Sequence, residues 1–284
     1  MPLAHTTFFD RPAYHLSNSA LGLTVIPALS GRIMELKTGR PAQNHLWIND
    51  PLLAGQAGGD PAFGGWKNWG GYKTWLAPQS RWPDPTAQSD AVDNVEWEVI
   101  AQTEAVSAAS LSLRGPMISW GGVCLGRQIT VRSKSRAVSI RETITNGSSK
   151  PRTWAVWAVA QFPVPGHAAF PPAAIKAARA LHAAPPKFRA GQLRFDGKEY
   201  WKVGALSAEG WAQYQAKPWP RAFRVSFPPH ADLPHPDDCN LEAWNNTRPA
   251  YMELEWPGPL VTLKPDESWA MDTEWHIDSP TRRA

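Results

Sequence analysis

A run of β-patterned segments between Val95 and Phe162 constrains the possible fold more than any other feature of the sequence. VEWEVI, AVSAASLSLRG, VCLGRQITVRS and AVSIRETITN follow one another, and Asn146-Gly147 gives a turn signal after them. WAVWAVAQF, at Trp154–Phe162, is nearly all apolar, which is typical of a strand buried on both faces. Strands separated by turns at intervals of roughly 8–12 residues predict an all-β sandwich.

Further strand patterns lie on both sides of this run. They are LGLTVI, RIMELK and NHLWIN before it, and LRFDG, EYWKVGALS, AFRVSF, LEAWNN and AYMELEW after it. Ala173–Ala183 is the one segment that resembles a short helix or a linker, and strands do not alternate with helices. We therefore predict a single domain over residues 1–284, built as a large two-sheet antiparallel β-sandwich.

Composition and charge exclude several classes of function. The 284 residues include 43% hydrophobic and 19% charged side chains, and the net charge of +4 is scattered, so we expect no nucleic-acid partner. No stretch approaches the roughly 20 apolar residues of a membrane helix, and the first residues lack a signal-peptide pattern, so we expect no membrane partner and a cytoplasmic location. Two cysteines and the pair His230 and His235 match no standard ligand spacing, so we expect no metal and no cofactor.

A tryptophan-rich stretch at Phe63–Pro83 is the first candidate for a binding site. FGGWKNWGGYKTWLAPQSRWP holds four of the sixteen tryptophans, and its glycine pairs and prolines predict an irregular loop. Indole faces can stack on the C–H faces of a sugar while neighbouring polar groups bind its hydroxyls. The alternative is an aromatic plug that covers one end of the core. The sugar-binding residues predicted from this stretch are Trp66, Trp69, Trp75, Gln79, Arg81 and Trp82.

Three long segments resemble one known superfamily. VIPALSGRIMELKTGRPAQNHLWIN, LGRQITVRSKSRAVSIRETITNGSSKPRTWAVWAVAQF and AYMELEWPGPLVTLKPDESWAMDTEWHI are similar to the opening, the central meander and the C-terminal part of galactose mutarotase-like (aldose 1-epimerase-like) proteins. The motif NWGGYKTWLAPQSRWP resembles that of a functionally uncharacterised branch of this superfamily. The resemblance implies a carbohydrate cleft on a β-supersandwich, but this fold also hosts lyase domains and hydrolase accessory domains.

The resemblance also implies acid/base chemistry. A general base would remove the anomeric proton of a sugar while a general acid protonates the ring oxygen. Glu255 takes the position of the epimerase glutamate, and Glu253 shares its strand face, where two close carboxylates raise one pKa. Where epimerases carry a histidine acid, this chain carries Gln161, which leaves Lys73 and His167 as candidate acids. Trp244-Asn245-Asn246 resembles the segment before the last site strand, and we expect it to contribute either a stacking ring or an amide.

These observations leave three hypotheses open. The first is an aldose 1-epimerase-like isomerase, and the second is a non-catalytic protein that binds a mono- or oligosaccharide. The third and weaker one is a sugar lyase or glycoside hydrolase of the same fold, for which Tyr72 beside Lys73 is the only hint. The missing histidine favours the second hypothesis and the Glu253/Glu255 pair favours the first. The oligomeric state stays open.

Overall fold

The structure is a computed structural model, and it describes residues 2–39, 42–61, 65–84, 86, 89–217 and 219–278. Two short α-helices, α1 (Asp50–Leu53) and α2 (Pro172–Ala177), accompany the strands. The strands are β1 (Leu3–Phe8), β2 (Arg11–Ser17), β3 (Leu21–Ile26), β4 (Arg32–Thr38), β5 (Gln43–Asn44), β6 (Tyr72–Ala77), β7 (Glu98–Glu104), β8 (Ala108–Ile118), β9 (Val123–Arg132), β10 (Ala137–Asn146), β11 (Arg152–Phe162), β12 (Gly166–Ala169), β13 (Arg179–Ala180), β14 (Gln192–Phe195), β15 (Trp201–Ala205), β16 (Trp211–Ala216), β17 (Ala222–Ser226), β18 (Leu241–Thr247), β19 (Ala250–Pro257), β20 (Val261–Leu263) and β21 (Ser268–Asp278).

Within the described residues, these strands form two antiparallel sheets. The first sheet has twelve strands in the order β1-β2-β3-β4-β6-β11-β19-β18-β15-β13, with β5 paired to β4 and β20 paired to β11. The second sheet has nine strands in the order β14-β12-β16-β17-β21-β10-β9-β8-β7. The predicted all-β class and two-sheet antiparallel sandwich are therefore confirmed.

The main core lies between the sheets and contains a buried ion pair. Tyr72 of β6 stacks on Trp256 at 5.7 Å and meets Trp275 of the second sheet edge-on at 4.8 Å. Arg127 Nε donates to Glu142 Oε1 at 2.7 Å, and the Tyr72 hydroxyl donates to the same oxygen at 2.8 Å. All of these side chains are fully buried, so polar groups as well as apolar packing join the two sheets.

Two local predictions were wrong. Six residues of the tryptophan-rich stretch, YKTWLA, form the central strand β6 rather than a loop. Gly70 and Gly71 precede this strand with φ of 89° and 74°, and a Cβ on either would lie 2.5 Å from a backbone oxygen. These glycines therefore mark the point where the loop enters the sheet. NHLWIN, predicted as a strand, contributes only Asn44 to β5 and is otherwise irregular.

Two further features bear on the predicted organisation. α2 begins one residue before Ala173–Ala183, the segment predicted as a short helix or linker, and ends within it; β13 follows at the end of the first sheet. No helix among the described residues is both long enough and apolar enough to cross a membrane.

Candidate functional site

Five neighbouring strands of the first sheet place chemically active side chains on one face. In antiparallel pairs, residues directly opposite each other point to the same side. Lys73 of β6 and Glu255 of β19 both lie opposite Val159 of β11, and Glu242 of β18 lies opposite Glu255. The neighbouring row contains Gln161, Glu253, Trp244 and Lys202, on β11, β19, β18 and β15. We call this face the site face. Tyr72 and Trp256, at alternate positions of the same strands, contact Trp275 of the second sheet, so the site face points away from the second sheet.

Glu255 is held by two donors. Its Oε2 atom accepts a hydrogen bond from Trp157 Nε1 at 2.8 Å and from Lys202 Nζ at 2.9 Å. Lys202 Nζ also lies 2.6 Å from Glu242 Oε2, so one ammonium joins two carboxylates. Glu255 itself is completely buried. The arrangement fixes the carboxylate of Glu255 while its second oxygen makes no hydrogen bond within the described residues.

The protonation of this trio follows from burial and charge. Burial raises the pKa of Glu242, Lys202 opposes the shift and the Glu255 carboxylate adds to it, and together they leave this pKa at about 8. Burial lowers the pKa of Lys202, but the two carboxylates outweigh it and leave that pKa above its ordinary value. Lys202 is therefore a permanent cation at neutral pH, and Glu242 can keep its proton.

A second cluster of polar and charged side chains forms around Glu253. Gln161 Nε2 donates to Glu253 Oε1 at 2.6 Å, and Lys73 Nζ lies 3.5 Å from the same oxygen. Burial lowers the pKa of Lys73 and raises that of Glu253, and each is the other's largest opposing influence. The Glu255 charge adds to the rise in the Glu253 pKa, as the spacing of the two glutamates predicts. These opposite shifts bring the pKa values of Lys73 and Glu253 closer together than those of an exposed lysine and glutamate.

Asp93 fixes the aromatic rings around Lys73. Its carboxylate accepts hydrogen bonds from Trp66 Nε1, Trp75 Nε1 and Arg32 Nη2, all at 2.7 Å. The Lys73 ammonium lies 3.5 Å from the centre of the Trp75 ring and 4.9 Å from that of Trp66. These cation–π contacts partly replace the water that the buried ammonium has lost. Asp93 lies at the end of a short π-helical turn, Ser89–Asp93, outside the strands it serves.

Three aromatic residues continue the site face beyond Glu253, and we call them the aromatic ridge: Tyr251, Trp244 and Tyr200. Neighbouring rings of the ridge meet edge-on, at 6.0 Å between Tyr251 and Trp244 and 5.5 Å between Trp244 and Tyr200. Trp47 stacks on Tyr251 at 4.6 Å. Tyr200 is 45% exposed, so the ridge runs from the buried carboxylates to the surface.

Several polar atoms of the site face are buried without a hydrogen bond. Within the described residues these are Lys73 Nζ, Gln161 Oε1, Glu255 Oε1 and Trp244 Nε1. A buried polar atom without a partner costs about 1–3 kcal/mol, and such atoms are rare in folded proteins. Two donors and two acceptors on one face match the needs of a polyhydroxyl ligand.

The predicted site residues divide into two groups. The structure brings together Lys73, Glu253, Glu255, Gln161, Trp66, Trp75 and Trp244. His167 lies on β12 of the second sheet, exposed, opposite Arg194, and is therefore not among them. Tyr72 is also separate, because its ring points into the core between the sheets.

The rest of the tryptophan-rich stretch has structural contacts. Trp69 packs in a smaller apolar cluster and donates to Asn94 Oδ1 at 2.9 Å, while Trp82 donates to the Leu76 carbonyl at 2.9 Å. Arg81 is exposed and donates to the Thr153 carbonyl at 2.9 Å, and Gln79 is an exposed neighbour in the same 3₁₀ turn. These contacts agree with the aromatic-plug alternative for Trp69, whereas the Trp82 ring also meets Trp75 and Trp157 of the site face, at 5.6 and 6.3 Å. Phe63 and Gly64, at the start of the stretch, lie outside the described residues.

Sequence reasoning missed Lys202, Glu242, Trp157 and Asp93. Tyr200 and Lys202 do alternate in EYWKVGALS, and Glu242 and Trp244 alternate in LEAWNN, so each pair could have been assigned to one strand face. Which strand lies beside which is a non-local property, however, and it decides that Lys202 contacts Glu255. Asp93 carries no local signal because it acts from a turn between strands.

The chemistry available on the site face is proton transfer and hydrogen bonding. It offers carboxylates, one lysine with a lowered pKa and one permanent cation. Among the residues that the structure describes, no group of three or more His, Cys, Asp and Glu side chains is arranged to hold a metal ion. Lys202 itself lies between the two carboxylates of Glu242 and Glu255.

Solved structures with the same fold are mutarotase-like proteins. A galactose mutarotase-like protein from Clostridium acetobutylicum is 10% identical, with a TM-score of 0.65 and 98% of each chain covered. A candidate aldose 1-epimerase from Escherichia coli K12 is 12% identical, with a TM-score of 0.61, and the match covers 94% of this chain and 99% of that one. These similarities confirm the resemblance seen in the sequence, at the level of fold.

A larger protein contains the same fold. A TPR-domain-containing protein from Parabacteroides distasonis is 14% identical, with a TM-score of 0.68; the match covers 96% of this chain but 48% of that one, so this chain spans about half its length. No protein-family model and no curated protein matches the sequence.

Proposed function

We propose that this protein binds a sugar on the site face and interconverts its anomers, as an aldose 1-epimerase-like enzyme. The observation that carries the proposal is the placement of a fixed carboxylate, Glu255, beside a buried ion pair, Lys73 and Glu253, on one face. Unpartnered buried atoms on the same face supply further hydrogen-bonding positions. The solved mutarotase-like structures add support, although sequence identities of 10–12% show a shared fold and not a shared chemistry.

Glu255 is the proposed general base. Its Oε1 atom is the free acceptor of a carboxylate whose other oxygen is held by Trp157 and Lys202. A base fixed in this way can take the proton of the anomeric hydroxyl with little reorganisation. The C1–ring oxygen bond then breaks as the carbonyl forms.

The Lys73–Glu253 pair is the proposed general acid. Burial lowers the pKa of Lys73, which makes its ammonium a stronger acid than an exposed lysine. The ammonium protonates the ring oxygen, and the open-chain sugar rotates about the C1–C2 bond. On reclosure, neutral Lys73 takes the proton back from the hydroxyl, and Glu255 returns its proton to the carbonyl oxygen.

A non-catalytic sugar-binding protein is the second candidate, and one observation favours it. Lys202 pairs directly with Glu255, and an ion pair stabilises a carboxylate and makes it a weaker base. Gln161, at the place where the related epimerases carry a histidine, binds Glu253 and cannot transfer a proton as an acid. Such a protein would use the same face to bind sugar without accelerating anomer exchange.

Rates of mutarotation in variants separate these candidates. Glu255→Gln and Lys73→Met should each lower the rate of catalysed anomer exchange by about 100-fold or more, the usual contribution of a general acid or base. Glu255→Gln should still be stabilised by sugar in a thermal melt. His167→Ala tests the other candidate acid and should exchange anomers at the wild-type rate. Wild-type turnover by Glu255→Gln would remove Glu255 from the mechanism.

A further inference from the structure

The aromatic ridge lies directly beside the residues of the proposed chemistry. Trp244 lies directly opposite Glu253 in the pairing of β18 with β19, and Lys202 lies opposite Trp244 on β15. Tyr200 immediately precedes β15, and its contact with the Trp244 ring places it beside the same face. The ridge therefore leads from the carboxylates toward the edge of the sheet in steps of about one strand spacing, roughly 4.8 Å.

The exposure of the ridge is not explained by packing. Tyr200 keeps 45% of its surface exposed, and its ring lies nearly perpendicular to those of Trp244 at 5.5 Å and His182 at 4.7 Å. Its perpendicular contact with Trp244, at an interplanar angle of 83°, makes an aromatic corner. A corner of this kind offers a face to one ring-shaped ligand and an edge to its side.

A second observation on the ridge points to a ligand. Trp244 Nε1 is buried and donates no hydrogen bond within the described residues, as is also true of Trp120, Trp256 and Trp275, although buried indole nitrogens usually find an acceptor. Trp157 Nε1 and Trp75 Nε1, on the same face, both donate to carboxylates. An oxygen of a bound molecule would complete the hydrogen bonding of Trp244.

We infer that Trp244 and Tyr200 form a subsite for a second sugar ring, and that the ligand is an oligosaccharide with a free reducing end. The reducing-end ring occupies the carboxylate site, and the next ring stacks on the aromatic corner. This inference rests on the proposed function for the identity of the first ring. It adds the length of the ligand, which nothing in the acid/base cluster determines.

The charges near the ridge agree with a neutral second ring. Lys202 lies opposite Trp244, and it is already paired with Glu242 and Glu255, at 2.6 and 2.9 Å. The pKa of Tyr200 is raised, first by burial and then by Glu253 and Glu255, against the effect of Lys202. Tyr200 is thus a neutral hydroxyl at physiological pH, which can donate to a sugar oxygen and does not repel it.

Calorimetry with matched sugars tests the subsite. The probes are glucose against maltose and cellobiose, and galactose against β-1,4-galactobiose, so that each disaccharide shares its reducing-end ring with a monosaccharide. At least one disaccharide should bind roughly 10-fold more tightly than its monosaccharide, the scale of one aromatic contact. Tyr200→Ala should bring the two affinities together, and Tyr200→Phe should keep most of the difference. Phe9→Ala, which removes a ring that is 37% exposed on a distant turn, is the matched control and should change neither affinity.

The outcomes for the subsite and for the proposed function are separable. Equal affinities for every matched pair, or a difference that survives both Tyr200→Ala and Trp244→Phe, would overturn the subsite. Faster anomer exchange, with equal affinities for each monosaccharide and its disaccharide, would support the isomerase and reject the subsite. A disaccharide preference that Tyr200→Ala abolishes, without faster anomer exchange, would support the subsite and reject the isomerase.

Discussion

Asp93 shows how a single residue outside the sheets organises the candidate site. Two indole nitrogens and one buried guanidinium share its carboxylate, and the two indoles flank the Lys73 ammonium. Arg32, its ionic partner, is completely buried. Removing one member of a buried ion pair leaves the other charge without compensation.

Asp93→Asn should therefore destabilise the protein by about 3 kcal/mol, because Arg32 loses its counter-charge. Urea unfolding followed by tryptophan fluorescence measures this free energy. Asp272→Asn is the matched control, since Asp272 forms an exposed ion pair with Arg141 at 2.7 Å that should be worth less than about 1 kcal/mol. Equal effects of the two substitutions would mean that Asp93 does not hold the Arg32 charge.

The raised pKa of Glu242 predicts how the stability of the protein depends on pH. Its pKa in the folded protein is raised to about 8 from 4.5, so the folded state binds more protons than the unfolded state between these values. The stability that this proton contributes is fully present below pH 4.5 and is lost as the pH rises toward 8. Glu253, whose pKa is also raised by burial, acts in the same direction.

Glu242→Gln should flatten this dependence. In the wild type, the free energy of unfolding should fall from pH 5 to pH 8, with Glu242 contributing up to about 1.4 kcal/mol per pH unit. Urea unfolding at pH 5, 6.5 and 8 measures the slope for both proteins, with Glu98→Gln, at an exposed carboxylate, as control. A slope that is unchanged by Glu242→Gln would show that Glu242 does not hold the extra proton.

At the scale of elements, β6 separates the two polar clusters of the molecule. Lys73 and Trp75 point to the site face, whereas Tyr72 and Thr74 point between the sheets, where they contact Glu142 and Arg127. One six-residue strand thus carries both a proposed acid and part of the inter-sheet core. The alternation of a β-strand is sufficient to produce this separation.

Tyr72→Phe should affect stability and not chemistry. It removes the hydroxyl that donates to buried Glu142 at 2.8 Å, which should cost about 2 kcal/mol because the acceptor is charged. The rate of anomer exchange per folded molecule should stay at the wild-type value. A large loss of activity with unchanged stability would return Tyr72 to the chemistry and revive the lyase hypothesis.

The positions of the strands along the chain were more predictable than the order in which they pair. LGLTVI and AVSIRETITN carry local patterns that give β3 and β10 nearly residue for residue. YKTWLA was not predicted as a strand, because the glycine pairs and prolines on either side of it are typical of a loop. Glu253 and Glu255 were placed on one face from their spacing, but the Lys202–Glu255 contact joins residues 53 apart and depends on strand order. The resemblance implied a β-supersandwich but gave no strand order.

At the scale of the whole molecule, the two sheets have different roles. The first sheet carries the acid/base cluster on its outer face, and the second packs against its inner face. His167 belongs to the second sheet, on the strand β12 between β14 and β16. Our proposal therefore takes the proton donor from the first sheet, with Lys73 and Glu253 in place of a histidine.

Anomer-exchange NMR with catalytic amounts of the wild-type protein tests the central claim most directly. A panel of free aldoses, uronic acids and reducing disaccharides would be examined at neutral pH, with Glu255→Gln at the same concentration as the paired sample. Our account predicts faster exchange of at least one sugar by the wild type and a rate near that of buffer for Glu255→Gln. Exchange at the buffer rate for every sugar, with wild-type protein that binds sugar in a thermal melt, would contradict the isomerase and leave a sugar-binding protein.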